Sequence, residues 1–265
     1  MQTMVNQFGY FEKWRILDLS HASPFQNLAL EEALVQGDVS GDFIPTVRLW
    51  VNPPAAVIGR FQDVKSEVDV EFCERNGIQI VRRFTGGGAV YHDEGNLNFT
   101  IVMPKPENIR LLEFHEINAT IVQDCLKRFG LESEFVPPNS VEVSGKKISG
   151  AAAGFGRNLT LWHSSILVST DITTPALALS PSRREFKTTH VRSRWRPVTT
   201  LEAALGKRVS LNEVKTCLLQ SFHKLTDTKL EPLPLLSAEE QLMQTLLASK
   251  YSSYEWNYLG NWSNS

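Results

Sequence analysis

The chain has 265 residues, 42% of them apolar and 9% aromatic, with a formal net charge of -2. That supplies ample material for a packed core, and the near-neutral balance excludes a global electrostatic footprint for nucleic acid or membrane. No apolar run nears the ~20 residues that span a bilayer, and Met1 to Trp14 lacks the apolar centre of a signal peptide, so a cytoplasmic protein without nucleic-acid or membrane partners is expected. Cys73, Cys125 and Cys217 are far apart with no Cys-x-x-Cys pair, which argues against a disulfide framework or structural zinc.

Ser23-Pro24-Phe25-Gln26 has the grammar of a helix start, a capping Ser with Pro at the first position, and Asn27 to Val35 continues the helix. Strand-like runs follow at Thr46 to Trp50 and Ala55 to Ile58. Asn52-Pro53-Pro54 between them cannot remain regular and predicts a hairpin or a connection. Ile78 to Val81 and Leu97 to Val102 are further strands.

Between those two strands lies Arg82-Arg83-Phe84-Thr85-Gly86-Gly87-Gly88-Ala89-Val90-Tyr91-His92-Asp93. Three successive glycines leave bare backbone that a ligand can approach, or that can adopt positive φ. A glycine cluster alone serves equally well as a structural turn; the two fork-shaped arginines before it and the Thr85 hydroxyl sharpen the reading to a phosphate-bearing ligand. His92 and Asp93, adjacent on a strand, point to opposite faces, which favours a structural or orienting role over a shared metal. Asn96 and Asn98 are spaced to share one face.

Apolar positions from Leu112 to Phe129 recur at helical spacing, with Gly130 placed to end the helix. Val141 to Val143 and Lys146 to Ser149 flank Ser144-Gly145, the pattern of a tight hairpin. Alternation there sends Ile148 to the apolar face and Lys147 with Ser149 to the other. A lysine near a turn is ordinarily solvated; the small run Gly150 to Gly154 beside it permits a ligand to approach closely and points to a functional lysine. Leu161 to Val168 is another strand, where His163 has the ordinary reading of a histidine bonded within the fold.

Arg183, Arg184, Lys187, Arg192, Arg194 and Arg196 surround one acid, Glu185, in a stretch bounded by Pro181 and Pro197. Such a loop suits closure over a phosphate or docking of an acidic partner. Cys125 and Cys217 fall on buried helix faces, and Cys73 stands among acids that disfavour a thiolate. Ser210-x-x-Glu213 and Ser237-x-x-Glu240 predict two capping boxes in a mainly helical C-terminal third. Strands interrupted by helices without regular alternation predict an α+β fold with a mixed sheet.

Arg82 to Asn98, Gly145 to Gly150 and Leu161 to Asp171 together resemble the lipoate-protein ligase A family. Phe25 to Glu32, Val57 to Gln62, Val191-Arg192-Ser193-Arg194 and Tyr254 to Asn257 extend the likeness along nearly the whole chain. The resemblance implies a catalytic domain like those of biotin-protein ligases and class II aminoacyl-tRNA synthetases, formed here by residues 1–265, its mixed or antiparallel sheet flanked by helices. It implies ATP and Mg2+ as cofactors: lipoate is converted to lipoyl-AMP, and the acyl group passes to a lysine of a lipoyl-acceptor domain or carrier protein.

By position, Lys147 matches the family's key lysine. Arg83, Thr85, Gly86, Gly87, Gly88, Ala89, Val90, Tyr91, Asn96, Ser149, Gly150, Ala152 and His163 match its lipoate and nucleotide site, and Arg192 and Arg194 the loop around the adenylate; no metal ligand is assigned. Two departures stand out. Asn139-Ser140 replaces the family's common Asn-Asp, and few residues follow Trp256-Asn257, so a small accessory subunit is expected to supply a missing C-terminal domain. An ATP-independent octanoyl or lipoyl transferase and a non-catalytic lipoate-binding protein are the alternatives. Octanoyltransferases of the superfamily use a cysteine nucleophile, and no cysteine here neighbours the Lys147 hairpin, which lowers that route; an amidotransferase without the cysteine stays open, kept alive by Ser140.

Overall fold

The structure is a computed structural model that describes residues 11, 13–37, 43–180 and 188–261. The expectations at the extreme N-terminus and at Arg183, Arg184, Glu185 and Lys187 lie outside the described residues. The chain runs β1 (Lys13–Asp18), α1 (Pro24–Gln36), β2 (Thr46–Trp50), β3 (Ala55–Ile58), α2 (Val64–Glu67), α3 (Val70–Arg75), β4 (Gln79–Arg82), β5 (Val90–His92) and β6 (Asn96–Pro104). Next come α4 (Leu111–Arg128), β7 (Glu134–Val136), β8 (Ser140–Val143), β9 (Lys146–Phe155) and β10 (Leu159–Leu167). The remainder is mainly helical: α5 (Thr173–Ala178), α6 (Leu201–Leu205), α7 (Leu211–Thr226), strand β11 (Lys229–Pro232), α8 (Ser237–Leu246) and two wide turns, Leu247–Tyr251 and Glu255–Leu259.

Eight strands form one mixed sheet in the order β11-β1-β2-β6-β10-β9-β8-β7, parallel only where β1 meets β11 and β2. A smaller sheet, β4-β3-β5, stands apart from it. Asn52-Pro53-Pro54 is therefore a connection between sheets, not a hairpin, because the prolines cannot donate to a shared ladder.

Alternation divides the large sheet into two chemically distinct faces. Leu97, Phe99, Ile101, Trp162 and Ile166 pack against α4 and α7. On the opposite side Trp50, Val102 and Leu161 pack against α1, α8 and the small sheet, but this second face also carries Arg48, Asn98, Thr100 and His163. The site is built on that half-polar face.

Local rules account for most element ends. Ser210 and Glu213 form the expected capping box, with Glu213 Oε2 accepting from Ser210 N at 2.7 Å. The second box is shifted by one residue. Leu236 is the cap and its N–H donates to Glu239 at 2.9 Å, because Glu239 is also drawn into an ion pair with Arg15. Ser144 and Gly145 turn the β8–β9 hairpin with φ of 49° and 72°, a pair of left-handed residues that matches strand twist.

Candidate active site

One row of paired residues crosses the large sheet: Trp50 opposite Asn98, Asn98 opposite Ser165, Ser165 opposite Gly150, and Gly150 opposite Ser140. All five line a cavity of about 290 Å³. The next row, Arg48, Thr100, His163 and Ala152, runs beside it.

Lys147 bends back along its own strand so that its side chain lies over Gly150. A Cβ at that glycine would stand 2.5 Å from both Cε and Nζ of the lysine. The bare residue leaves room for the amine above the row. Burial pushes the Lys147 amine down to about 8, with Arg196 and Arg83 adding to the effect and Glu142 opposing it. A second cavity of about 200 Å³ shares Lys147 and Gly150, and adds Tyr91, Ser149, Leu167 and Ile172. Lys147 thus stands where two cavities meet.

The glycine loop is held from within by Arg83. Its Nη2 donates to Gly86 O and Gly88 O at 2.7 Å each, Nη1 to Val57 O at 3.2 Å, and Nε to Thr85 Oγ1 at 3.0 Å. Gly87 has φ +94°, and a Cβ on Gly59 would strike its carbonyl, so two glycines are required for the loop to pass β3. Arg83 reaches the cavity edge, yet it is chiefly the pin of the loop.

Arg82 corrects the phosphate reading of the arginine pair. It is 1% exposed, and its guanidinium donates to the carbonyls of Trp256, Gly59, Arg60, Gln62 and Asn257. A buried cation satisfied by carbonyls has nothing left for a ligand.

Behind the floor runs a buried polar relay. Arg48 Nη1 approaches Glu31 Oε1 at 3.4 Å, Thr100 Oγ1 donates to the same oxygen at 2.7 Å, and His163 Nδ1 bonds Glu31 Oε2 at 2.6 Å. His163 Nε2 then meets Thr85 Oγ1 at 3.0 Å. Burial raises the Glu31 carboxyl, but His163, Arg48 and Thr100 outweigh it and hold the group below its ordinary value.

The tautomer of His92 follows from a second chain. Arg48 Nη2 donates to Asn27 Oδ1 at 2.8 Å, Asn27 Nδ2 to Asn52 Oδ1 at 2.8 Å, and Asn52 Nδ2 to His92 Nδ1 at 3.0 Å. Burial, Arg83 and His163 push His92 down to about 3, so the ring is neutral and carries its proton on Nε2. Asp93 turns away to accept from Gly95 N and Asp171 N at 2.9 and 3.1 Å. The neighbouring Asn98 Nδ2 lacks a partner among the described residues.

Residues 191–199 close the site from above. Ser193 Oγ accepts from Ala89 N at 2.7 Å and Gln62 Nε2 at 3.1 Å, Arg196 pairs with Glu142 at 2.8 Å, and Arg192 pairs with Glu67 at 2.7 Å. The backbone adds Lys147 N to Pro197 O at 2.8 Å and Thr199 N to Lys147 O at 2.9 Å. Arg194 lines both cavities and makes no hydrogen bond to a described residue.

Of the residues singled out in the sequence, Arg83, Gly87, Gly88, Ala89, Val90, Lys147, Gly150, Ala152, His163, Arg192 and Arg194 converge on the first cavity. Tyr91 and Ser149 touch the second, with Ser149 Oγ bonded to Ser164 Oγ at 2.6 Å. Thr85, Gly86 and Asn96 line neither cavity: Asn96 reaches the first only through Asn98, to which it donates at 3.2 Å. Sequence reasoning missed the functional placement of Glu31, Glu67, Glu142 and Ser165, whose identities resemble ordinary polar positions until the pairing register is known.

Among the described residues neither cavity is lined by an Asp or Glu, and none forms a cluster of three or more His, Cys, Asp or Glu suited to a metal. Magnesium prefers carboxylates or phosphate oxygens. The site offers instead amides, hydroxyls and cations, so it does not fit a protein-held magnesium ion.

Residues 23–223 match the lipoyl protein ligase A/B catalytic domain. The chain belongs to that family. It is 31% identical over 241 residues to lipoate-protein ligase A subunit 1 of Thermoplasma acidophilum, covering 87% of this chain and 90% of that one. It is also 29% identical to the octanoyltransferase LipM of Geobacillus kaustophilus, covering 93% and 98% respectively. Among solved structures, the bi-partite lipoate protein ligase of T. acidophilum, studied with its E2 lipoyl domain, superposes with a TM-score of 0.83 at 28% identity, covering 96% of this chain and 99% of that one. A lipoate-protein ligase A bound with ATP gives 0.81 at 29%, covering 93% and 98%. These likenesses make the chain an enzyme of the lipoate-protein ligase family with the mixed α+β fold. No described helix is long and apolar enough to cross a membrane.

Proposed function

We propose that the enzyme activates lipoate with ATP and transfers the lipoyl group to a lysine of a lipoyl-acceptor domain. The observation that carries this reading is the meeting of two cavities at Lys147. The first has Leu28, Trp50 and Val57 at its walls, an apolar surface for an acyl tail that has little hydrogen bonding to offer. The tail lies along the Ser165–Asn98–Trp50 row, and the carboxylate rests at Lys147.

In the first half-reaction a carboxylate oxygen attacks the α-phosphorus, the new P–O bond forms, the α–β anhydride bond breaks and pyrophosphate leaves. Lys147 neutralises the charge that develops on the phosphoryl oxygens, and Arg194 adds a second cation that has no hydrogen-bond partner among the described residues. In the second, the acceptor amine attacks the acyl carbon, the C–O bond to AMP breaks, and the proton released from the amine leaves with solvent or phosphate. Bare backbone at Gly87 and Gly88 lets both substrates approach the loop without a side-chain clash.

A small accessory subunit belongs to this proposal, because the T. acidophilum relative is itself named a subunit of a two-part ligase. A second reading, transfer of an octanoyl or lipoyl group from a carrier without ATP, is favoured by the likeness to the octanoyltransferase. Against it, all three thiols are buried and none lines either cavity. Incubation with lipoate, ATP and a lipoyl domain, with and without an accessory subunit, followed by mass detection of lipoyl-AMP, separates the two. Absence of the adenylate under every condition, with transfer from an acyl carrier, would replace the ligase reading.

A further inference from the structure

Glu67 ends the four-residue helix α2 (Val64–Glu67), and its side chain is 0% exposed. Its carboxylate accepts from Arg192 Nε at 2.7 Å through Oε1, and from the backbone N–H of Ser193 at 3.3 and 3.2 Å through its two oxygens. Among the described residues these are its only partners, and both belong to the loop that covers the two cavities. A buried carboxylate stripped of its partners is strongly unfavourable. The closed loop is therefore the state that Glu67 demands.

The same short stretch is tied to the glycine loop. Ser193 Oγ accepts from Ala89 N and Gln62 Nε2, while Gln62 Oε1 accepts from Gly59 N at 2.9 Å. Val191 N donates to Phe61 O at 3.2 Å. Glu67 thus adds an ion pair with Arg192 to a set of otherwise neutral contacts and also holds Ser193 N; Ser193 lines both cavities and Arg192 the first.

We propose that Glu67 is a positioning residue that latches the 191–196 loop shut over the site, so that an activated acyl intermediate is shielded from water until an acceptor amine enters. The inference rests on the activation chemistry proposed above: an acyl phosphate anhydride hydrolyses in water, so exclusion of solvent decides how much of it reaches the acceptor. Glu67 acts through Arg192 and Ser193 and touches no reacting atom.

The test is Glu67→Gln, which keeps the shape and one acceptor oxygen while removing the charge. Hydrogen exchange of the unliganded protein is read at the Val191 and Ser193 amides, and free acyl-adenylate released per acceptor acylated is read by mass spectrometry. The expected result is loop exchange faster by about tenfold with β4 and β9 unchanged, and a larger released fraction. Unchanged exchange at Val191 and Ser193, or equal acceleration throughout the sheet, overturns the latch. Should the single variant not fold, the neutral pair Glu67→Gln with Arg192→Gln removes the stranded charge and must show the same local loosening. Failure of the wild-type protein to make adenylate would sink the activation chemistry alone, because the exchange measurement needs no substrate.

Discussion

Arg82 and Trp256 bond each other reciprocally: Arg82 Nε donates to Trp256 O, and Trp256 Nε1 donates to Arg82 O, both at 2.8 Å. This pair of hydrogen bonds fastens the last described wide turn to β4, the strand that launches the glycine loop. The rigidity of the site thus depends on residues more than 170 positions away along the chain.

Lys147→Ala is expected to lower adenylate formation by about 10²–10³-fold or more, the cost of deleting a preorganised charge in a water-poor site. Its fold should persist. The lowered amine also sets a stability trend. The native state releases this proton near pH 8 and the unfolded chain near 10.5, so between those values the unfolded state binds more protons and stability rises with pH. Below pH 8 the full penalty of burying the cation applies, and Lys147→Met should raise the melting temperature while abolishing turnover.

Activity should follow the opposite sign. If Lys147 works as a cation, kcat/KM of the free enzyme falls as pH rises through about 8. Lys147→Arg, which stays charged, should move that alkaline limb out of range even if turnover is reduced. A pH–rate profile of both proteins checks this; an identical limb in the arginine variant assigns the titration to another group.

Gly150→Ala places a methyl carbon 2.5 Å from Lys147 Cε and Nζ. The flexible lysine tip can move aside, so the protein should fold, but its amine leaves the cavity junction and activity should drop by about 10²-fold. Near-normal turnover in this variant would mean that the amine acts from another position.

The lack of carboxylates among the described residues that line the cavities predicts that the nucleotide-free protein does not take up a divalent cation there. Titration with Mn2+ by electron paramagnetic resonance should show only free ion until ATP is added. Tight binding before ATP would reveal protein ligands in the site.

Glu32→Gln should cost about 3–5 kcal/mol, the range for breaking a buried ion pair. Lys250 Nζ lies 2.8 Å from each oxygen of Glu32, and Tyr251 OH donates to it at 2.6 Å. For a chain of this size that is a fall of roughly 10 °C in melting temperature. A thermal melt monitored by circular dichroism reads it directly.

The β8–β9 hairpin was legible because its signals are local: Ser144-Gly145 for the turn, and Ile148 among apolar alternates. So was the family, whose motifs span ordered segments. The division into two sheets was not, because the Asn52-Pro53-Pro54 break is equally compatible with a hairpin. Arg82 read as a ligand cation since nothing nearby in sequence reveals the carbonyls of 256 and 257. Glu31 and Glu67 were hidden for the reverse reason: carboxylates on helices normally face water, and only the tertiary arrival of His163 and Arg192 makes them buried anions. The last capping box moved from Ser237 and Glu240 to Leu236 and Glu239, with Arg15, more than 200 positions away, bonded to that glutamate.

The row from Ser140 to Trp50 gives the sheet the character of a ruler. A chain laid across strands meets a new graduation about every 4.8 Å, a span wider than two methylene groups. On the proposed placement, acyl tails differing by a single two-carbon increment differ in reach by about half an interval, and discrimination between them would fall to the furnishings of the final gap, where Leu28, Trp50 and Val57 stand.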